Sequence, residues 1–289
     1  MLQLVGFGVV LPALVAFSVG YLLVRRPFGS QTIVWLAPAF ALAVGYVLAH
    51  IALYGFRGLF PSDVTHRLPI VALIAVAASS LDGLTATAWR RIGLDLVAAA
   101  ATAALLLSPL QPSLAAHELL LSGLGLVVVM VATSRASHVL LELQQSVFVP
   151  VGLAFVVGIV GMVCAASGTA VVGQLAGAIA AAIFGLAVLR RIRPHTPLAA
   201  SAREMVSLVV GCLALTFFYA EMNADVLAAT AFAVLAPGAF AWSVKRRRRL
   251  GSSVGWAASV VALGFAGWRS VDAPASPLPE SDQYDYAYE

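Results

Sequence analysis

Apolar runs of about 20 residues follow one another along almost the whole chain, each separated from the next by a short polar break. A run of that length is what an α-helix needs to cross a hydrocarbon layer ~30 Å thick. Ten such runs are read, near 2–24, 31–56, 68–88, 92–110, 118–134, 146–166, 169–189, 204–221, 225–244 and 254–268. In lipid the backbone must satisfy its own hydrogen bonds, which leaves helices or closed barrels. Barrel strands would alternate apolar and polar over about ten residues. These runs are apolar all round, so the expected fold is all-α, a polytopic transmembrane helical bundle of about ten spans.

Composition agrees. Of 289 residues, 61% are hydrophobic and 10% charged, against about 25% charged in soluble domains. Residues 1–269 form one membrane domain, because no stretch between the runs is long enough to fold alone. The tail, 270–289, carries three prolines, five acids and Tyr284, Tyr286 and Tyr288. It reads as disordered, with the tyrosines able to dock on a partner.

Charge placement gives the expected orientation. Met1 to Gly8 lacks Lys and Arg, and Arg25-Arg26 follows the first run, so an uncleaved first span entering with its N-terminus outside is expected. The breaks then alternate, and the inner ones hold Arg25, Arg26, Arg90, Arg91, Arg135, Arg190, Arg191, Arg193, Arg203, Lys245 and Arg246 to Arg249. That is fourteen of the seventeen basic residues, leaving Arg57, Arg67 and Arg269 outside. Lys and Arg on the inner side set orientation, so both ends are expected outside (N-out/C-out), in a cell membrane such as a bacterial inner membrane. The weakest stretch is 118–150. Its amphipathic segment Arg135 to Gln145 can extend the fifth helix, lie on the inner surface, or begin the sixth.

The net charge of +4 does not indicate nucleic acid, because the basic residues sit where topology uses them. The run Lys245, Arg246, Arg247, Arg248, Arg249 reads as a stop-transfer signal touching anionic lipids, and the loop from Arg190 to Pro197 reads the same way. Cys164 and Cys212 each lie inside an apolar run and read as small buried hydrophobes. Gly152 to Gly161 and the Gly173, Gly177 pair permit close helix approach in a bundle or homo-oligomer. Ten spans invite an inverted five-plus-five repeat, but Leu36-Ala37-Pro38 and Leu235-Ala236-Pro237 fall in spans two and nine, which such a repeat does not pair.

Chemistry is sought among ionisable side chains inside spans, which are expensive to insert and face an interior or a cavity. Asp82 has Ser79 and Thr85 three residues to either side, one polar stripe. It reads as a proton- or cation-binding carboxylate, or as a packing carboxylate paired with Arg90 or Arg91. Asp95 opens the fourth span and reads as a first-turn acid favoured by the helix dipole, or, if the hairpin of spans three and four is tight, as a partner of Asp82 in sharing a cation or proton. His50 lies between Tyr46 and Tyr54 on one helix face. A ligand site, a proton relay or a plain helix hydrogen bond all suit it, whereas heme needs an axial ligand set and no second histidine at that depth is evident. His138 and Glu142 are four apart, with Gln145 beyond, and read as an interfacial polar face or as half of an acid/base or metal site. Glu221, Asn223 and Asp225 crowd one outer turn. No catalytic set, cofactor or metal site is read: Walker, HExxH and GxSxG motifs are absent from the sequence. The expected function is a secondary transporter or carrier of a small solute or lipid-linked compound. The alternative is a non-catalytic membrane subunit or scaffold of a larger complex.

Overall fold

A computed structural model describes residues 6–25, 31–56, 63–82, 88–144, 146–220, 222–243 and 248–272. Within them the chain is helical, without strands. A π-helical turn, Gly6–Val10, leads into α1 (Leu11–Arg25), followed by α2 (Gln31–Tyr54), α3 (Leu68–Asp82), α4 (Ala88–Leu107), α5 (Ala116–Leu143), α6 (Phe148–Ala166), α7 (Ala170–Ile192), α8 (Ala202–Tyr219), α9 (Ala224–Ser243) and α10 (Arg248–Asp272). Each apolar run of the sequence thus falls on one helix. Eight helical stretches, from Gly6–Arg25 to Leu198–Tyr219, are long and apolar enough to cross a membrane. The apolar part of α9, Ala224–Phe240, is shorter, and α10 begins on arginines. Of the basic run, Lys245 to Arg247 lie outside the described residues, as do Thr85, Gln145, Glu221 and the tail from 273.

The amphipathic segment after Arg135 does not lie apart. It continues α5 without interruption to Leu143. Pro38 and Pro237 sit inside continuous helices.

Neighbours in sequence pack as up-and-down hairpins, α1 on α2, α3 on α4, α6 on α7 and α9 on α10. Side-chain contacts at the two ends confirm the alternation. At one end, which carries most of the described arginines, Arg25 from the close of α1 and Arg193 from the close of α7 both lie over the Tyr21 ring. At the opposite end, Tyr219 donates to the Leu106 carbonyl, and Arg67 donates to the Leu105 carbonyl and the Ser108 hydroxyl. There too, Thr169 donates to Thr216.

The centre of the bundle is α8, buried at every residue from Ala202 to Thr216 and packed by α3, α5 and α7. The outward faces are hydrophobic, with Leu14, Phe155, Met162 and Val261 all more than half exposed. A surface of this kind suits hydrocarbon and not water. Small residues set the closest crossings. A Cβ at Gly173 in α7 would lie 2.7 Å from the Gly161 carbonyl oxygen of α6, so only glycine fits. Cys164 and Cys212 are both buried, in α6 and α8.

Candidate functional site

Two clusters of ionisable and polar side chains hold the candidate residues of the described bundle, one at each end. The larger lies at the arginine-rich end. The last turn of α3 supplies Ser79 and Asp82, three apart and hence on one face. The second turn of α4 supplies Asp95, with Arg91 one turn earlier. The closing turns of α5 supply Arg135 and His138, and the first turn of α8 supplies Arg203 and Glu204. The approach to α8 is itself folded inward. After Pro194 and Pro197 a 3-10 turn, Leu198–Ser201, buries Leu198, Ala200 and Ser201, and the Arg190 guanidinium donates to the Thr196 carbonyl. Arg190 is therefore buried and holds this loop, and does not act only as a surface charge.

Arg203 is the hub. Its Nε donates to Asp95 Oδ1 at 2.8 Å, its Nη1 to Ser79 Oγ at 3.0 Å and its Nη2 to Asp82 Oδ2 at 3.3 Å. Nη2 also lies 2.6 Å from Asp95 Oδ1. Each aspartate has a second cation: Arg91 Nε is 3.7 Å from Asp82, and Arg135 Nε is 2.5 Å from Asp95. The order is Arg91, Asp82, Arg203, Asp95, Arg135, crossing four helices. Asp82, Asp95 and Arg203 are all buried, at 6%, 5% and 7% exposure. Between them is a cavity of about 10 Å³ that also meets Trp35, Ser134 and His138, room for about one water. Glu204, at 0% exposure, accepts no hydrogen bond at either carboxyl oxygen among the described residues.

Asp82 and Asp95 come together, the tight-hairpin alternative and not the lone first-turn acid, and they do so through an arginine. Ser79 joins them. His138 borders the cavity, whereas its neighbour Glu142, 3.6 Å away, points to the exterior with its side chain 67% exposed. The pairing of Asp82 with Arg91 is also as expected.

The second place is the opposite end of α2. Tyr46, His50 and Tyr54 line one face, with successive ring centroids 6.0 and 5.6 Å apart. The sequence argument found no second histidine at this depth; the structure corrects that. His66, from the 3-10 turn Val64–Arg67, places Nδ1 at 3.0 Å from His50 Nε2. The turn folds inward after Asp63 caps it by accepting from the Thr65 amide. Tyr54 donates to Gln174 of α7. Among the described residues no group of three or more His, Cys, Asp or Glu side chains could hold a metal ion.

The cavity beside Arg203 is lined by none of the described residues of the second place. His50 is fifteen residues along α2 from Trp35, roughly 22 Å at the α-helical rise. The sequence reading missed Arg203, Arg135, Glu204, His66 and Gln174. The legible signal was Arg203-Glu204, with Ser207 one turn on, opening an otherwise apolar run. Comparison with protein-family models, with curated proteins and with solved structures gives no match.

Proposed function

We propose that the protein is a secondary carrier, with ten spans, both termini outside, and the arginine-rich end facing inward. The observation behind this is the Asp82–Arg203–Asp95 bridge. It joins α3, α4 and α8 across long sequence separations at one end of the bundle, beside a space of water size. An ion-paired closure of this kind can exchange between made and broken states, because the attraction of each pair nearly balances its desolvation. Hydrophobic packing offers no such near-balance. Alternating access requires a closure that opens. The inward orientation rests on the fourteen-to-three division of basic residues. The cargo class is a small solute or a lipid-linked compound.

The test is uptake by proteoliposomes under an imposed pH gradient, from a panel of labelled solutes. Asp82→Asn is expected to abolish uptake that the unaltered protein supports. Equal uptake by both overturns the mechanism.

A membrane scaffold is the second reading, favoured by the outer half of α5. Leu120, Leu121, Leu124 and Val128 are exposed there. Apolar grooves of about 390 and 280 Å³ flank it, against α4 and against α8 and α9. Stoichiometric co-purification of other subunits in mild detergent supports that reading, and a partner-free monomer opposes it. Contact of Lys245, Arg246, Arg247, Arg248 and Arg249 with anionic lipids belongs to either.

A further inference from the structure

Among the described carboxyls of the arginine-rich end Glu204 is the most deeply buried, and neither of its carboxyl oxygens accepts a hydrogen bond of good geometry. Asp82 has Arg91 and Arg203, Asp95 has Arg135 and Arg203, and Glu142 lies at the exterior. The charged and polar side chains described at this end come from several elements. Asp82 and Ser79 come from α3, Asp95 and Arg91 from α4, and Arg135 and His138 from α5. From α7 comes Arg190, bound to the Thr196 carbonyl, and from α8 itself Arg203. Neither α6 nor the described part of α9 brings an ionisable residue to this end.

Among the described residues, Ser79, Arg203 and Asp82 act on the Glu204 carboxyl. Every nitrogen of Arg203 is already engaged by Asp82, Asp95 or Ser79. A carboxylate buried with so few donors is strongly disfavoured, whereas the neutral acid is tolerated. The N-terminus of α8, where Glu204 sits in the first turn, lends partial positive charge. That keeps ionisation accessible and does not by itself stabilise the anion fully.

We infer that Glu204 is a proton-binding site of this membrane domain, neutral while the Asp82–Arg203–Asp95 closure is made and ionised when it opens. This rests on the carrier reading for its purpose, and makes the proton the coupling ion. Loss of the proton from the Glu204 carboxyl to water leaves an anion that must find donors. The guanidinium that acts on it is Arg203, and drawing it away still leaves Asp82 with Arg91 and Asp95 with Arg135. Three carboxylates are then matched by three guanidinium groups, and the bridge across α3, α4 and α8 is gone. Protonation reverses the sequence.

The test needs no cargo. Infrared spectra of the full chain in liposomes are recorded across pH for the unaltered protein, Glu204→Gln and the exposed control Glu142→Gln. The expected result is a carbonyl stretch of a neutral carboxylic acid near neutral pH that is missing in Glu204→Gln and present in the control. In parallel, Ser134→Cys, bordering the cavity, is placed in a background with Cys164 and Cys212 replaced by alanine. Its reaction with a water-soluble thiol reagent is then followed. Relative to the same cysteine in Glu204→Gln, which corrects for thiol ionisation at each pH, labelling is expected to rise on the order of tenfold as Glu204 ionises, the response to a one-decade population shift. Gln is isosteric with the neutral acid, so that variant should fold with the closure made. A band unchanged by Glu204→Gln overturns the proton site. Identical labelling profiles in the two backgrounds overturn its link to the closure. Absence of solute uptake with both results intact would instead count against carriage alone.

Discussion

Replacing Arg203 with methionine keeps its length and apolar stem and removes the hub charge of the buried cluster. Asp82 and Asp95, at 6% and 5% exposure, then lose their shared partner. Removing one member of a buried ion pair typically destabilises by about 3–5 kcal/mol, because the remaining charge is left in a low dielectric. Here two charges are left, but each keeps a second arginine. Arg135 stays 2.5 Å from Asp95, while Arg91 is 3.7 Å from Asp82 with its side chain 40% exposed. The expected loss is therefore about 3 kcal/mol, the lower end of that range. Arg91→Met removes only a half-exposed, long pair and is expected to lose about 0–1 kcal/mol. Adding Asp82→Asn and Asp95→Asn to Arg203→Met takes the buried charge away and should recover most of the stability. Equilibrium unfolding in mixed micelles of dodecylmaltoside and dodecyl sulfate, followed by circular dichroism, gives the ranking. An Arg203→Met loss no larger than that of Arg91→Met, or no recovery in the triple variant, refutes the reasoning.

Four further outcomes follow from particular positions. At Gly238 in α9 a Cβ would fall 2.2 Å from the Ala136 carbonyl oxygen of α5; Gly238→Val should destabilise by about 1–3 kcal/mol or more through overpacking. Gly177→Ala, with open space around it, should stay within about 0.5 kcal/mol of the unaltered protein in the same unfolding assay. Tyr54→Phe breaks the link from α2 to Gln174 in α7, and about 1 kcal/mol of stability should go with it, read as faster amide exchange at that end of α7. Single cysteines at Ser113 and at His195, both exposed, should react with a membrane-impermeant maleimide from opposite sides of sealed vesicles, Ser113 from the outside.

Apolar run length made the helices legible, since a span is fixed by a simple length requirement. The end of α5 was not legible because Val139, Leu140, Leu141 and Leu143 lie among polar residues, and that pattern fits a surface helix as well as an extended span. The packing of Leu140 and Leu141 into the core decides it, and packing is a tertiary fact. The candidate site was half legible. Asp82, Asp95 and Ser79 stood out because polar groups inside apolar runs are rare. Arg203 and Arg135 did not, because arginine at a span end is what orientation alone would place there. His66 was hidden for a related reason: it precedes its span, and only the inward fold of the turn capped by Asp63 brings it to His50.

The carrier account depends on the arginine-rich end opening and closing. Spin labels at Arg90 and His195, both exposed at that end, with the two native cysteines replaced, report it through pulsed dipolar distance distributions in liposomes. The account predicts two populations, with the longer distance enriched by Asp82→Asn together with Asp95→Asn. A single distance, unchanged by those substitutions, would contradict it.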